Sequence, residues 1–175
     1  LGCGDGRLLR YLRETKGVVG YGVEIDHERV LGCIRNDVDV IQIDIERGLS
    51  GFEDHSFDHV IISQALQAMH ATERILGEML RVADEAVVSF PNFAYQTNRQ
   101  AIASGHMPVS EDLPYEWYDT PNVRFFTIAD FEALCEKLGI EVRERLAFDD
   151  AGQPVADDPN LNGSLAFYRL GRKPA

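Results

Sequence analysis

The sequence has 175 residues, 45% of them apolar and 26% charged, the make-up of one globular domain able to bury a core. Its net charge of −12, with 17 Lys and Arg residues in no basic stripe, works against nucleic acid as a partner. No apolar run reaches the length of a membrane span and no signal-peptide pattern opens the chain, so a cytoplasmic protein is expected.

Leu1-Gly2-Cys3-Gly4-Asp5-Gly6 comes first. Alternate glycines take positive φ cheaply and let a ligand approach the backbone. Leu8, Leu9, Tyr11 and Leu12 then mark an amphipathic helix to about Lys16, ended by Gly17. The loop thus opens a helix and offers free N–H groups above it. Val18–Ile25 reads as a strand, with Glu24 at its C-terminal end. Asp26 is a plausible N-cap for a helix through Ile34. Asp39–Ile45 is the next strand and delivers Asp44 near its end. Phe57–Ser63 is apolar, as a buried parallel strand is. Ile75, Leu76, Met79, Leu80 and Ala83 line one face of a helix beginning near Thr72. Ala86–Phe90 is a further buried strand.

Residues 91–124 hold Pro91, Pro108, Pro114 and Pro121 together with Tyr95, Tyr115, Trp117 and Tyr118. They show no period. Long segments of this kind serve as lids or binding insertions, and the aromatic content argues against disorder. Thr127 and Asp130 fit a capping arrangement ahead of Phe131, Leu134, Cys135 and Leu138. Glu141–Phe148 and Ser164–Leu170 suit an antiparallel hairpin at a sheet edge.

Strands alternating with helices imply βαβ units and a mostly parallel Rossmann-like α/β sheet. Residues 1–175 are read as a single domain with a lid or partner-binding insertion at about 91–124. A sheet of this type carries its first, central strand immediately before such a glycine loop. That strand is expected upstream of Leu1.

Ligands of open α/β sheets bind at the C-terminal ends of the strands. Glu24 falls roughly 20 residues beyond the glycines, where a ribose-binding carboxylate stands in dinucleotide folds. The frame here is G-x-G-x-G, with Arg7 where a nicotinamide or flavin site favours a third glycine. No Lys followed by Ser or Thr ends the loop, so it is not a P-loop. His70 lies just past a strand end and is the weak candidate for a base. No histidine spacing suits a metal, and Cys3, Cys33 and Cys135 form no zinc set; they read as reduced thiols.

The loop, Glu24 and Asp44 resemble the S-adenosylmethionine site of class I methyltransferases. The resemblance implies that an acid like Glu24, with Ile25 beside it, holds ribose hydroxyls. It implies that Asp44 faces the adenine amino group and the N–H of Ile45 a ring nitrogen. Gly2, Gly4 and Ser63 complete the expected cofactor-binding set. Ser63-Gln64 occupies the place of the Asp- or Asn-Pro-Pro-aromatic motif of amino- and DNA-methylating enzymes, and that motif is absent.

Over most of its length the sequence is similar to the methionine biosynthesis protein MetW family. The resemblance is carried by LGCGDG at Leu1, GVEID at Gly22, SFPNF at Ser89 and GHMP at Gly105. LPYEWYDTPNVRFFT from Leu113 and TIADF from Thr127 extend it. It implies a bacterial protein of methionine biosynthesis that partners homoserine O-acyltransferase. S-adenosylmethionine or S-adenosylhomocysteine is the implied ligand. Two functions stay open: an accessory or regulatory partner of the acyltransferase, and a methyltransferase acting on a small molecule.

Overall fold

A computed structural model describes residues 1–173. Helix α1 (Arg7–Lys16) starts directly from the glycine loop and ends at Gly17, whose N–H donates to Arg13 O. Strand β1 (Gly22–Glu24), helix α2 (His27–Arg35) and strand β2 (Val40–Gln42) follow. Asp26 caps α2 by accepting the Arg29 N–H at 2.9 Å. β1 and β2 pair in parallel, with Val23 opposite Ile41. Both strands are shorter than the expected Val18–Ile25 and Asp39–Ile45. Val19 is 98% exposed and lies ahead of the ladder, which begins at Gly22, and Asp44 leaves the ladder to cap a 3-10 turn at Ile45–Arg47.

A second sheet is built from β3 (Phe57–Ser63), β4 (Ala83–Pro91), β5 (Ile140–Phe148) and β6 (Leu165–Arg172), in the order β3-β4-β6-β5. β3 and β4 are parallel, and β6 is antiparallel to both its neighbours. The predicted antiparallel hairpin thus forms one end of this sheet, with β5 outermost and β6 between it and β4. Residues 1–3 run between the two sheets. The Leu1 amino group donates to Ile61 O of β3 at 2.6 Å, and the Cys3 N–H to Val23 O of β1 at 3.1 Å.

Helix α3 (Thr72–Val82) packs the predicted face, Ile75, Leu76, Met79 and Leu80, onto β3 and β4. Each such burial contributes about 1.5–3 kcal/mol of transfer free energy. Phe90 of β4 lies against Phe126, Phe131 and Tyr168, with ring centroids 4.6, 4.8 and 5.7 Å away. This contact fastens helix α5 (Ile128–Lys137) to the sheet. The Thr127–Asp130 capping box forms as expected.

Residues 91–124 contain a helix that the sequence did not announce, α4 (Gln96–Ala103). Its one large apolar residue, Ile102, is 47% exposed, and only Asn98 is buried. An apolar stripe was therefore missing from the pattern. Asn92 holds this segment. Its side chain is fully buried, donates to Gly163 O at 2.7 Å and Asn160 O at 3.0 Å, and accepts the Ala94 N–H at 3.1 Å. One further turn, α6 (Pro159–Asn162), interrupts the β5–β6 connection.

Candidate functional site

Gly2 and Gly4 have φ of 59° and 58°, a region that costs other residues energy. A Cβ on Gly4 would meet nothing within 4 Å, so the chain is bare there towards open space. A Cβ on Gly2 would stand 3.2 Å from the Ala65 Cβ, which puts the loop against the turn after β3. From the other side Asn36 Nδ2 donates to Asp5 O at 2.8 Å and Cys33 Sγ to Gly4 O at 3.1 Å. The Cys3 and Cys33 sulfurs are 3.7 Å apart. Burial, with the Cys33 thiol alongside, pushes the Cys3 thiol up to about 12. The Cys3 thiol therefore stays protonated near neutral pH, and the two sulfurs pack beneath the loop.

Glu24 is 5% exposed. Its Oε2 accepts the Gly4 N–H at 2.8 Å, and its Oε1 accepts the N–H groups of Ile25 and Asp26 at 2.9 and 3.1 Å. Three backbone N–H groups thus fix the buried carboxylate in place. A carboxylate oxygen has two lone-pair directions, so Oε2 can accept from a second donor. The Ile25 side chain points outward and is 59% exposed.

The end of β2 reaches the same rim, because the Ile43 N–H donates to Glu24 O at 3.1 Å. Asp44 Oδ1 accepts the Glu46 N–H at 3.0 Å, and Oδ2 lies 3.4 Å from Arg47 Nε. Ile45 begins that turn, at a position whose N–H has no acceptor within the turn. Ser63 ends β3, and its Oγ is 2.9 Å from Ser89 Oγ on β4. Gln64 follows with φ 48° and donates its N–H to Ser89 O. A left-handed non-glycine residue at a strand end stores local strain; single-sequence patterns give no sign of it.

Gly2, Gly4, Glu24, Ile25, Asp44, Ile45 and Ser63 therefore lie along one edge, at the C-terminal ends of β1, β2 and β3. His70 stands beside the Asp44–Arg47 turn. Its N–H donates to the Glu46 carboxylate, its carbonyl accepts from Arg124 at 3.1 Å, and its exposed side chain belongs to a cavity that none of these rim residues lines. Among the described residues, no group of three or more His, Cys, Asp and Glu could hold a metal ion. None of their helices is long and apolar enough to cross a membrane.

The profile of one family, methionine biosynthesis protein MetW, matches residues 1–170. The bifunctional methionine biosynthesis protein MetXA/MetW of Rhodopirellula baltica is 38% identical over 188 residues, covering 98% of this chain. The chain spans 30% of that relative's length. Among solved structures, a SAM-dependent methyltransferase of Thermotoga maritima, described as a possible histamine N-methyltransferase, is similar with a TM-score of 0.71 and 20% identity. It covers 99% of this chain and 80% of its own. An S-adenosylmethionine-dependent methyltransferase of Mesorhizobium loti gives a TM-score of 0.70 at 15% identity, over 98% of this chain and 88% of its own. The fold is thus the Rossmann-like fold of these methyltransferases.

Proposed function

The chain belongs to the methionine biosynthesis protein MetW family, and from that premise we propose a cytoplasmic accessory protein that binds S-adenosylmethionine or S-adenosylhomocysteine. Its partner in this reading is homoserine O-acyltransferase. The observation that carries the nucleoside part is the Glu24 carboxylate seated at 2.8 Å from the Gly4 N–H, at the end of β1 and beside the ends of β2 and β3. A ribose would lie over the bare main chain of Gly2 and Gly4, with its hydroxyls donating to the remaining lone pairs of Glu24. Adenine would lie towards Ile45 and Asp44. The N–H of Ile45 suits a ring nitrogen. Asp44 meets an amino group with the capacity left beyond its bonds within the turn.

The partner reading is supported by the relative whose name joins MetXA and MetW in one protein. Residues 105–125 offer the surface: Trp117 and Tyr118 are 71% and 70% exposed, while Leu113 anchors the segment at 6%. Exposed aromatic clusters on a fixed backbone are common at protein interfaces. S-adenosylmethionine is made from methionine, so a ligand that favours one state of the complex would give feedback.

Calorimetric titration with S-adenosylmethionine and S-adenosylhomocysteine, with and without the acyltransferase, tests this. The expected result is saturable binding and a ligand-dependent change in acyltransferase activity. Accumulation of S-adenosylhomocysteine with candidate acids or amines would favour a small-molecule methyltransferase instead. No binding of either nucleoside would end the reading.

A further inference from the structure

The cavity that carries His70 opens between the starts of α3 and α5 and has a volume of about 560 Å³. Ligand pockets run from about 300 to 1,000 Å³. Its apolar lining comes from Phe125, Phe126, Phe131 and Leu134, and its charged lining from Glu73, Arg74, Arg124 and Asp130.

The four charges are not equally available. Glu73 Oε1 is bonded to Lys137 Nζ at 2.7 Å. Asp130 Oδ2 accepts both the N–H and the Oγ1 hydroxyl of Thr127, at 3.1 and 2.8 Å, in the capping box. One oxygen of each acid is thus bonded within the fold. Among the described residues, the Arg124 guanidinium donates only to the neutral carbonyls of Val123 and His70, at 3.2 and 3.1 Å. Arg74 makes no ion pair within 4.0 Å among the described residues. In a chain of net charge −12, this cavity presents two guanidinium groups that form no ion pair within that distance among the described residues, Glu78 acting on Arg74 only at longer range.

We propose that the cavity between α3 and α5 binds a small organic anion, a carboxylate with an aromatic or aliphatic body. The body lies on the Phe126–Phe131–Leu134 side, and the carboxylate meets the planar donors of Arg124 and Arg74. Guanidinium groups suit that recognition because they offer paired N–H donors and stay charged. None of the rim residues named above lines this cavity, and the proposal does not rest on the nucleoside reading.

The test is NMR titration of the isotope-labelled chain with 3-phenylpropionate and with hexanoate, and with 3-phenylpropionamide as the uncharged control. Either acid is expected to bind with a dissociation constant on the order of millimolar, as befits a fragment of this size. The amide should bind at least about tenfold more weakly, since it forfeits charge-assisted bonds. Arg124→Gln and Arg74→Gln should each weaken the acid by a similar factor, and Arg124→Lys by less. Both arginines are exposed, so unchanged thermal midpoints are expected and separate lost binding from lost folding. Shifts should concentrate at residues 70–74 and 124–134. The proposal is overturned if neither acid saturates, if the amide matches the acid, if the double arginine variant binds undiminished, or if the shifts fall only on the rim around Gly4 and Glu24.

Discussion

Glu24 Oε2 accepts the N–H of Gly4 at 2.8 Å, from a residue 20 positions earlier. The same carboxylate therefore shapes the glycine loop and stands at its ligand-facing edge. Glu24→Ala removes the acceptor of three N–H groups at a buried position. A loss of about 1.5–3 kcal/mol in unfolding free energy is expected, read as a lower urea midpoint. Affinity for S-adenosylhomocysteine should fall roughly tenfold to over a hundredfold. Glu24→Gln keeps one oxygen for Ile25 and Asp26 and turns an amide NH2 towards the Gly4 N–H, so it should fall between. Unchanged calorimetric affinity in both variants would take Glu24 out of the site.

Asn92 is a fastener of a different kind. It joins the end of β4 to Gly163 and Asn160 through its amide N–H groups, and to Ala94 and Ile128 through its carbonyl. Asn92→Ala leaves these buried groups without partners and should cost about 2–4 kcal/mol. Asn92→Asp keeps the acceptor and turns an oxygen towards Gly163 O and Asn160 O, so it should be no milder near neutral pH. Chemical denaturation of both variants measures this. A change below about 0.5 kcal/mol, the usual range at a surface site, would show that the network carries little.

The sequence makes some of this legible because some signals are local. The Asp26 cap, the Thr127–Asp130 box and the face of α3 each depend on residues within a few positions of one another. The strand-end carboxylates are legible for the same reason: Glu24 and Asp44 each close a short apolar run. What the runs do not contain is direction. Asp44 directs part of its accepting capacity to its own turn, and Glu24 part of its capacity to the loop, which only the folded chain reveals. Cys33 and Asn36 hold the glycine loop from α2 and carry no motif. The α3–α5 cavity draws its walls from two stretches far apart in the sequence, 70–74 and 124–134, so no short window of sequence contains it.

The Cys3 thiol, raised from about 9 to about 12 by burial and by the Cys33 thiol, makes a pH prediction. A thiol whose folded pKa is raised stabilises the fold while it is protonated. That contribution is whole below about pH 9 and is lost as the pH climbs towards 12. Cys135 and Tyr168 are also raised by burial and act in the same direction, so the comparison needed is between wild type and Cys3→Ser. Wild type should lose more stability than Cys3→Ser between about pH 8 and about pH 10.5. Equal slopes would mean that the native thiol titrates normally. Alkylation by iodoacetamide at neutral pH should also be far slower for native Cys3 than for the unfolded chain.

Trp117 sits edge-to-face on Tyr118, with ring centroids 5.7 Å apart, and both rings lie outside the core. On the proposed reading these two exposed rings are part of the surface that the acyltransferase covers. Trp117→Ala should therefore shift the unfolding free energy by less than about 0.5 kcal/mol. It should weaken binding to homoserine O-acyltransferase by about 2 kcal/mol or more, roughly thirtyfold in dissociation constant. Val19→Ser, at a 98% exposed position between α1 and β1, is the matched control and should leave both quantities unchanged. Co-purification and titration of the two proteins read the outcome. If Trp117→Ala binds the acyltransferase as wild type does, residues 105–125 are not the contact. If Trp117→Ala unfolds the chain, the ring is a packing element in spite of its exposure.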